Sequence, residues 1–268
     1  MISPTSVLIT GASSGIGAAL ALAYAEPGRH LALTGRDAQR LAATAERCRA
    51  AGASVATREL DVTDREAMAE WIEDVAATGR LDLVIANAGI SGGSGNLREE
   101  GPDQVRRIFA VNVDGVMNTV LPAIPVLHRQ PPVIIAGTPP WRGQIAIVSS
   151  LAGLRGLPSA PAYSASKTAM RAWGEGLRPK LAQEEIALTV VCPGFIRTPM
   201  TADNPFPMPF LMDAAQAAAI IKRRLETNPA RIAFPWPLYA LAWLVGALPP
   251  GWIDPLLARL PNKPARKA

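Results

Sequence analysis

Residues 6–25 read SVLITGASSGIGAALALAYA, and this stretch decides the fold. The apolar run at 6–10 has the length of a buried strand, and from about Gly15 the leucines and alanines stripe a helix. Between them stand Gly11, Gly15 and Gly17. Glycine lets the backbone turn with positive φ, and it lets a phosphate or a packed strand approach closely. Free N–H groups at the start of the helix, aided by the helix dipole, then make a site for a pyrophosphate. A glycine triplet alone marks only a turn. Here it follows a strand and opens a helix, so it begins a phosphate-binding βαβ unit.

Working outward, strands are expected at 6–10, 31–34, 54–58, 83–86, 144–149, 188–192 and 231–234. Helices are expected at 15–25, 38–51, 65–78, 104–121, 162–183 and 214–226. Alternation of this kind implies an α/β fold, a parallel sheet with helices on both faces. Ligands of such sheets bind beyond the carboxyl ends of the strands, where the strand order reverses. Thr10, Asp61, Asn87, Ser150 and Pro193 all fall at or just past expected carboxyl ends, so they converge on one crevice. With 268 residues and 49% hydrophobic content, the chain suits one large α/β domain. We divide it into a cofactor-binding and catalytic body at 1–235 and a C-terminal apolar helical extension of the same domain at 236–268.

The segment 149–168, SSLAGLRGLPSAPAYSASKT, carries the chemistry. Ser150 precedes Tyr163 by thirteen residues, and Lys167 follows it by four. Four residues is about one helical turn, so the tyrosine and the lysine share a helix face. A phenol with a pKa near ~10 exchanges protons sluggishly at neutral pH. An ammonium beside it favours the phenolate and brings the pKa toward the working range. Neither Tyr24 nor Tyr239 has a lysine four residues on. Ser149 is the alternative to Ser150, since adjacent strand residues face opposite ways. Ser164 and Ser166 read as small packing residues.

Seven short segments now stand in order: TGASSGIG at 10–17, LDVTD around Asp61, NAG at 87–89, VNV around Asn112, IVSS ending at Ser150, YSASK at 163–167 and PGFIRT at 193–198. Together they resemble the short-chain dehydrogenase/reductase family, from about residue 6 to residue 200. The resemblance implies a Rossmann-type doubly wound sheet with strand order 3-2-1-4-5-6-7. It implies an NAD(P)-dependent oxidoreductase acting on CH–OH groups, with Asn112, Ser150, Tyr163 and Lys167 as catalytic residues. Tyr163 would donate the proton, Ser150 would bind the carbonyl oxygen, and Lys167 would bind nicotinamide ribose hydroxyls and lower the tyrosine pKa. Asn112 would hold a water that refills the proton through Lys167. The cofactor would lie against Gly11, Ser13, Ser14, Gly15, Ile16 and Gly17, with Asp61 and Val62 at the adenine and Asn87, Ala88 and Gly89 at the ribose. Tyr163 and Lys167 would complete the site with Pro193, Gly194, Ile196 and Thr198, the last two at the carboxamide. Assembly as a homodimer or homotetramer is implied too. A non-catalytic dinucleotide sensor on the same fold has no need of Ser150, Tyr163 and Lys167 together.

The second strand selects between cofactors. It ends LALTGRD, with Gly35 where NAD users of the family resemble one another in having an aspartate, and Arg36 next. A guanidinium matches a 2′-phosphate by charge and by forked geometry, so NADP(H) is expected over NAD(H), with Ser13 adding a hydroxyl. The runner-up is an NAD-linked alcohol oxidation. Asp61 has a second possible duty, as cap of the helix that follows, which Thr63 could perform instead. Asn87 could tie neighbouring strands together, a duty compatible with lining the ribose.

The net charge of +5 is small and its basic residues are scattered, so nucleic acid is not an expected partner. Cys48, Cys192, His30 and His128 show neither a disulfide framework nor metal-ligand spacing. No leader is expected before the first strand, and the chain is expected to be cytoplasmic. The run from His128 into the fifth strand is longer than the family's usual connection and holds Pro131, Pro132, Pro139 and Pro140. It reads as a surface excursion at the amino end of that strand, with a subunit contact as the alternative. Residues 198–213, TPMTADNPFPMPFLMD, would form a lid in which Phe206, Met208, Phe210, Leu211 and Met212 favour a hydrophobic ketone, aldehyde or alcohol. The carboxyl end concentrates Trp236, Trp243 and Trp252, and Pro235, Pro237, Pro249 and Pro250 break it up. It is too interrupted to span a membrane, so two short apolar helices at 238–248 and 253–260 are expected. They would pack within an oligomer, with the substrate cleft or a bilayer surface near Lys263, Arg266 and Lys267 as alternatives.

Overall fold

Seven parallel strands run through the middle of the protein, and a computed structural model describes them within residues 3–93, 100–133, 139–202 and 204–259. They are β1 (Ser6–Ile9), β2 (His30–Gly35), β3 (Ser54–Glu59), β4 (Leu83–Ala86), β5 (Gly143–Val148), β6 (Ile186–Pro193) and β9 (Arg231–Phe234). Their spatial order is β3-β2-β1-β4-β5-β6-β9, an α/β Rossmann-type sheet. The seventh strand is ninth along the chain because β7 (Ile196–Arg197) and β8 (Met212–Asp213) pair separately with each other. Every residue of β4, β5 and β6 is buried. Burial on both faces explains why these strands read as continuous apolar runs and not as alternating ones.

Helices cover both faces. On one lie α1 (Gly15–Tyr24), α2 (Ala38–Ala50) and α7 (Ala214–Leu225), which bury Leu20, Tyr24, Leu41 and Ile221 against the sheet. On the other lie α3 (Arg65–Ala77), α4 (Pro102–Phe109), α5 (Gly115–Arg129) and α6 (Pro161–Gln183), with Met68, Ile72, Val120 and Met170 in the core.

The expected helix at 104–121 proves to be two. A π-helical turn at Ala110–Asp114 separates α4 from α5, and α5 continues through Pro122 and Pro125 to Arg129. Prolines normally end a helix, but burial of Val120, Ala123, Val126 and Leu127 carries this one past them. The Pro-rich run lies at the amino end of β5, where Val133 bridges Trp141 in antiparallel fashion. Arg80 secures it by donating to the carbonyls of Pro131 and Arg142, both at 2.6 Å. Residues 134–138 of that run lie outside the described residues, as do Asp203, Leu260, Lys263, Arg266 and Lys267.

At the carboxyl end, α8 (Trp236–Ala247) and α9 (Pro250–Leu257) both begin earlier than expected. Pro237 and Pro250 start the helices where they were read as breaks, because a proline in the first turn forfeits no hydrogen bond.

Candidate active site

The carboxyl ends of β1, β2, β4, β5 and β6 open onto a crevice of about 750 Å³. It lies at the switch point, where β1 has β2 on one side and β4 on the other. Gly11 (φ 68°) and Gly15 (φ 56°) adopt the left-handed conformation that the turn out of β1 demands. A β-carbon on Gly11 would stand 2.8 Å from the Ala88 Cα, so the turn also needs the missing side chain. Ser14 precedes α1 without capping it through its side chain, which leaves the first N–H groups of the helix facing the crevice floor. Asn87 locks this floor together: its Nδ2 donates to the carbonyls of Thr10 (2.9 Å) and Gly11 (3.3 Å). Thr10 Oγ1 in turn accepts from the N–H groups of Asn87 and Ala88, each at 3.1 Å.

At the β2 end, Arg36 lines the crevice, half exposed, with Nη1 3.5 Å from Asp61 Oδ2. Its neighbour Asp37 is spent elsewhere, as the cap of α2: Oδ1 accepts from the Arg40 N–H at 2.8 Å and Oδ2 from Arg40 Nε at 2.7 Å. Asp61 does not cap the next helix, and neither does Thr63. Asp64 does so, accepting from Ala67 N–H at 3.0 Å, while Asp61 accepts from the N–H and hydroxyl of Thr63. Burial alone would raise the Asp61 carboxyl, but Thr63 and the Arg36 guanidinium outweigh it and hold the group below its usual value.

The chemistry-bearing wall is β5, the turn after it and α6. Ser149 and Ser150 diverge as adjacent strand residues should. Ser149 is buried and donates to the Lys167 carbonyl at 2.7 Å, fixing α6 to the strand. Ser150 lines the crevice, caps the 3-10 turn Leu151–Gly153 by accepting from Ala152 N–H at 3.1 Å, and hydrogen-bonds to the Tyr163 side chain. Lys167 Nζ donates to the Val148 carbonyl at 2.9 Å and stands 6.0 Å from the centroid of the Tyr163 ring. Desolvation brings its ammonium down to about 8. The Tyr163 hydroxyl, expected to be lowered, is raised: burial dominates, and the hydrogen bond from Ser150 opposes it only in part. Ser164 and Ser166 are fully buried, and both hydroxyls donate to backbone carbonyls of α6 or its approach.

Two of the expected site residues do not line the crevice. Gly17 packs instead, since a β-carbon there would lie 2.2 Å from the Gly11 carbonyl oxygen and 2.5 Å from Asn87 Nδ2. Asn112, in the π turn, is wholly buried. Its Oδ1 accepts from Ile90 N–H (2.8 Å), and its Nδ2 donates to the Ile90 carbonyl (2.9 Å) and to Ser166 Oγ (3.0 Å). With both ends committed, its amide braces one wall against α6. The other eighteen expected positions surround the crevice. Arg40, Ile90, Arg107, Val111, Met200 and Thr201 line it as well and were not anticipated. For Arg40 a signal existed, its place one turn after Arg36 and Asp37. The lid departs from expectation: its tip does not reach the crevice, and Phe206 packs edge-on to Phe195 with centroids 6.3 Å apart. The β7–β8 pair pins the ends of this segment, which turns those side chains to the body or to solvent.

Comparison with known proteins agrees with this architecture. Residues 5–206 match the short chain dehydrogenase family, and the chain belongs to it. It is an oxidoreductase of that family, similar to an uncharacterized oxidoreductase of Myxococcus xanthus strain DK1622, 38% identical over 254 residues, 94% of this chain and 96% of the other. A short chain dehydrogenase of Burkholderia cenocepacia J2315, solved in complex with NADP, superimposes with a TM-score of 0.76 at 25% identity, over 96% of this chain and 98% of that one. A relative from Burkholderia phymatum, solved in complex with NAD, shares the fold with a TM-score of 0.78 at 24% identity over the full length of both.

Proposed function

We propose that this chain is an NADP(H)-dependent oxidoreductase that interconverts a carbonyl and an alcohol. The observation that carries the reading is the Ser150 hydroxyl hydrogen-bonded to Tyr163, with Lys167 on the same helix face, at the rim of a glycine-floored crevice. The residues present fit a dinucleotide. Gly11 and Gly15 leave a cradle that side chains would fill, the start of α1 offers N–H donors, and Arg36 and Arg40 give cationic donors at the β2 end. Gly35 favours the phosphorylated form. A β-carbon there would meet Ser13 Cβ and Oγ at 3.0 Å, so an acid in its place would crowd the serine.

A bound nicotinamide dinucleotide supplies the hydride. The chain's own residues hold the substrate and move the proton. Ser150 Oγ donates to the carbonyl oxygen and fixes its position as charge develops there. Tyr163 Oη gives its proton to that oxygen, and a phenol raised by burial is fully protonated and ready to do so at neutral pH. Lys167, with its ammonium at about 8, is mostly charged at pH 7 and favours the phenolate left behind. Asn112 is a positioning residue here: it and Lys167 flank Gly89, where a β-carbon would lie 3.1 Å from Asn112 Oδ1 and 3.2 Å from Lys167 Nζ. Ile90, Val111 and Met200 line the crevice and support an apolar substrate.

The test is a screen of NADPH oxidation over aldehydes and ketones graded by size and polarity, with NADH in parallel. Turnover of apolar carbonyls with NADPH well ahead of NADH is expected. Equal use of both cofactors would remove the NADP assignment, and turnover confined to small polar carbonyls would remove the substrate class.

A further inference from the structure

The last two helices leave an apolar face uncovered. The sequence of α8, WPLYALAWLVGA, has no charged residue, and none of its twelve residues is buried. One side of it is nevertheless seated. Leu238 lies against Gly194, Gly246 against the Leu154 carbonyl, and the Tyr239 hydroxyl accepts from Arg231 at 3.1 Å. α9 is held by the buried Ile253 and by Arg155, which donates to the Leu248 carbonyl at 3.1 Å and pairs with Asp254 at 3.8 Å. The other side shows Trp236, Trp243 and Trp252 at 69%, 57% and 74% exposure, with Leu241, Leu244 and Leu256 also more than half exposed. On the wheel of α8, Trp236, Leu241, Trp243 and Leu244 fall within about 160°, and the half-buried residues occupy the rest. Scattered exposed leucines are ordinary, but six large apolar side chains on two neighbouring helices form a patch.

Length and charge say what covers it. Twelve helical residues reach about 18 Å, short of the ~30 Å hydrocarbon core, so α8 lies along a bilayer and does not cross it. From Pro235 to Ala268 the only acidic residue is Asp254, already paired, whereas Arg259, Lys263, Arg266 and Lys267 follow the apolar helices. A two-fold contact with a second copy would lay this face on itself and bring both sets of cations together, which like-charge repulsion opposes. An anionic lipid surface suits both parts: acyl chains for the leucines, headgroup level for the tryptophans, lipid phosphates for the cations. We propose that α8, α9 and the basic end of the chain dock the protein on the surface of an anionic bilayer. The claim does not depend on the reaction proposed above.

The full chain should sediment with vesicles of phosphatidylcholine containing phosphatidylglycerol, and much less with phosphatidylcholine alone. Its tryptophan emission should shift to the blue on binding. The exposed pair Trp243→Ser and Trp252→Ser should weaken partitioning by about a hundredfold while leaving the circular dichroism spectrum unchanged. Lys263→Ala, Arg266→Ala and Lys267→Ala together should erase the preference for the anionic lipid. Protein that stays in the supernatant with both vesicles, or that binds equally well without the two tryptophans, would overturn the proposal. So would a mass in solution that falls when Trp243 and Trp252 are replaced, since the face would then belong to a second copy.

Discussion

Arg36 and Asp37 are adjacent in the sequence and have opposite duties in the structure. The aspartate turns inward to its own helix, capping α2 and holding Arg40. Arg36 faces the crevice beside Asp61 and is the side chain placed to meet a 2′-phosphate. Its pair with Asp61 is exposed and 3.5 Å long, a weak hold that a phosphate would outcompete. Arg36→Leu should therefore raise KM for NADPH by about 10- to 100-fold, the scale of one charge-assisted hydrogen bond, with KM for NADH nearly unchanged. Steady-state kinetics with each cofactor would show this. Equal losses with both would mean that Arg36 acts by supporting Asp61 and the fold. Both acids near this arginine were visible in the sequence as rivals for the helix caps. Which one caps was not, because DVTDR offers two aspartates at neighbouring positions and only the backbone path decides between them.

At the scale of the element, the β1–α1 unit rests on contact distances that only glycine permits. Gly17 lets α1 approach the turn so closely that its own α-carbon hydrogens face the Gly11 carbonyl and the Asn87 amide. Gly17→Ala should push the helix away and cost about 1–3 kcal/mol, as overpacking does. Gly176 in α6 makes the opposite case, since a β-carbon there meets nothing within 4 Å and the site is exposed. Gly176→Ala should add about 0.5–1 kcal/mol of stability. Urea unfolding followed by circular dichroism would measure both, and an unshifted midpoint for Gly17→Ala would contradict the packing role. The glycine turn was legible because its signals are local: strand, turn and helix lie within twenty residues. The π turn and the passage of α5 through two prolines were not. There, burial of a helix face against the sheet outweighs local propensity, and no local pattern reports it.

For the whole molecule, seven strands and their order followed from the alternation of segments and from the family's motifs in sequence order. The convergence of Gly11, Asn87, Ser150 and Pro193 on one crevice followed in turn from where strands end. Side-chain direction was the part that stayed hidden. The lid's phenylalanines and methionines have the composition of a pocket lining, yet the β7–β8 pairing directs them elsewhere. Asn112 has the motif of a catalytic residue, yet its amide is consumed by Ile90 and Ser166. The central claim is that Tyr163 is the proton donor of a carbonyl reduction. Its most direct test is kcat for NADPH-dependent reduction of the best carbonyl substrate by Tyr163→Phe, with the Kd for NADPH measured alongside by fluorescence. Loss of at least ~10²-fold in kcat with NADPH affinity within about twofold of the parent is the expected result. Turnover near that of the parent protein would contradict it.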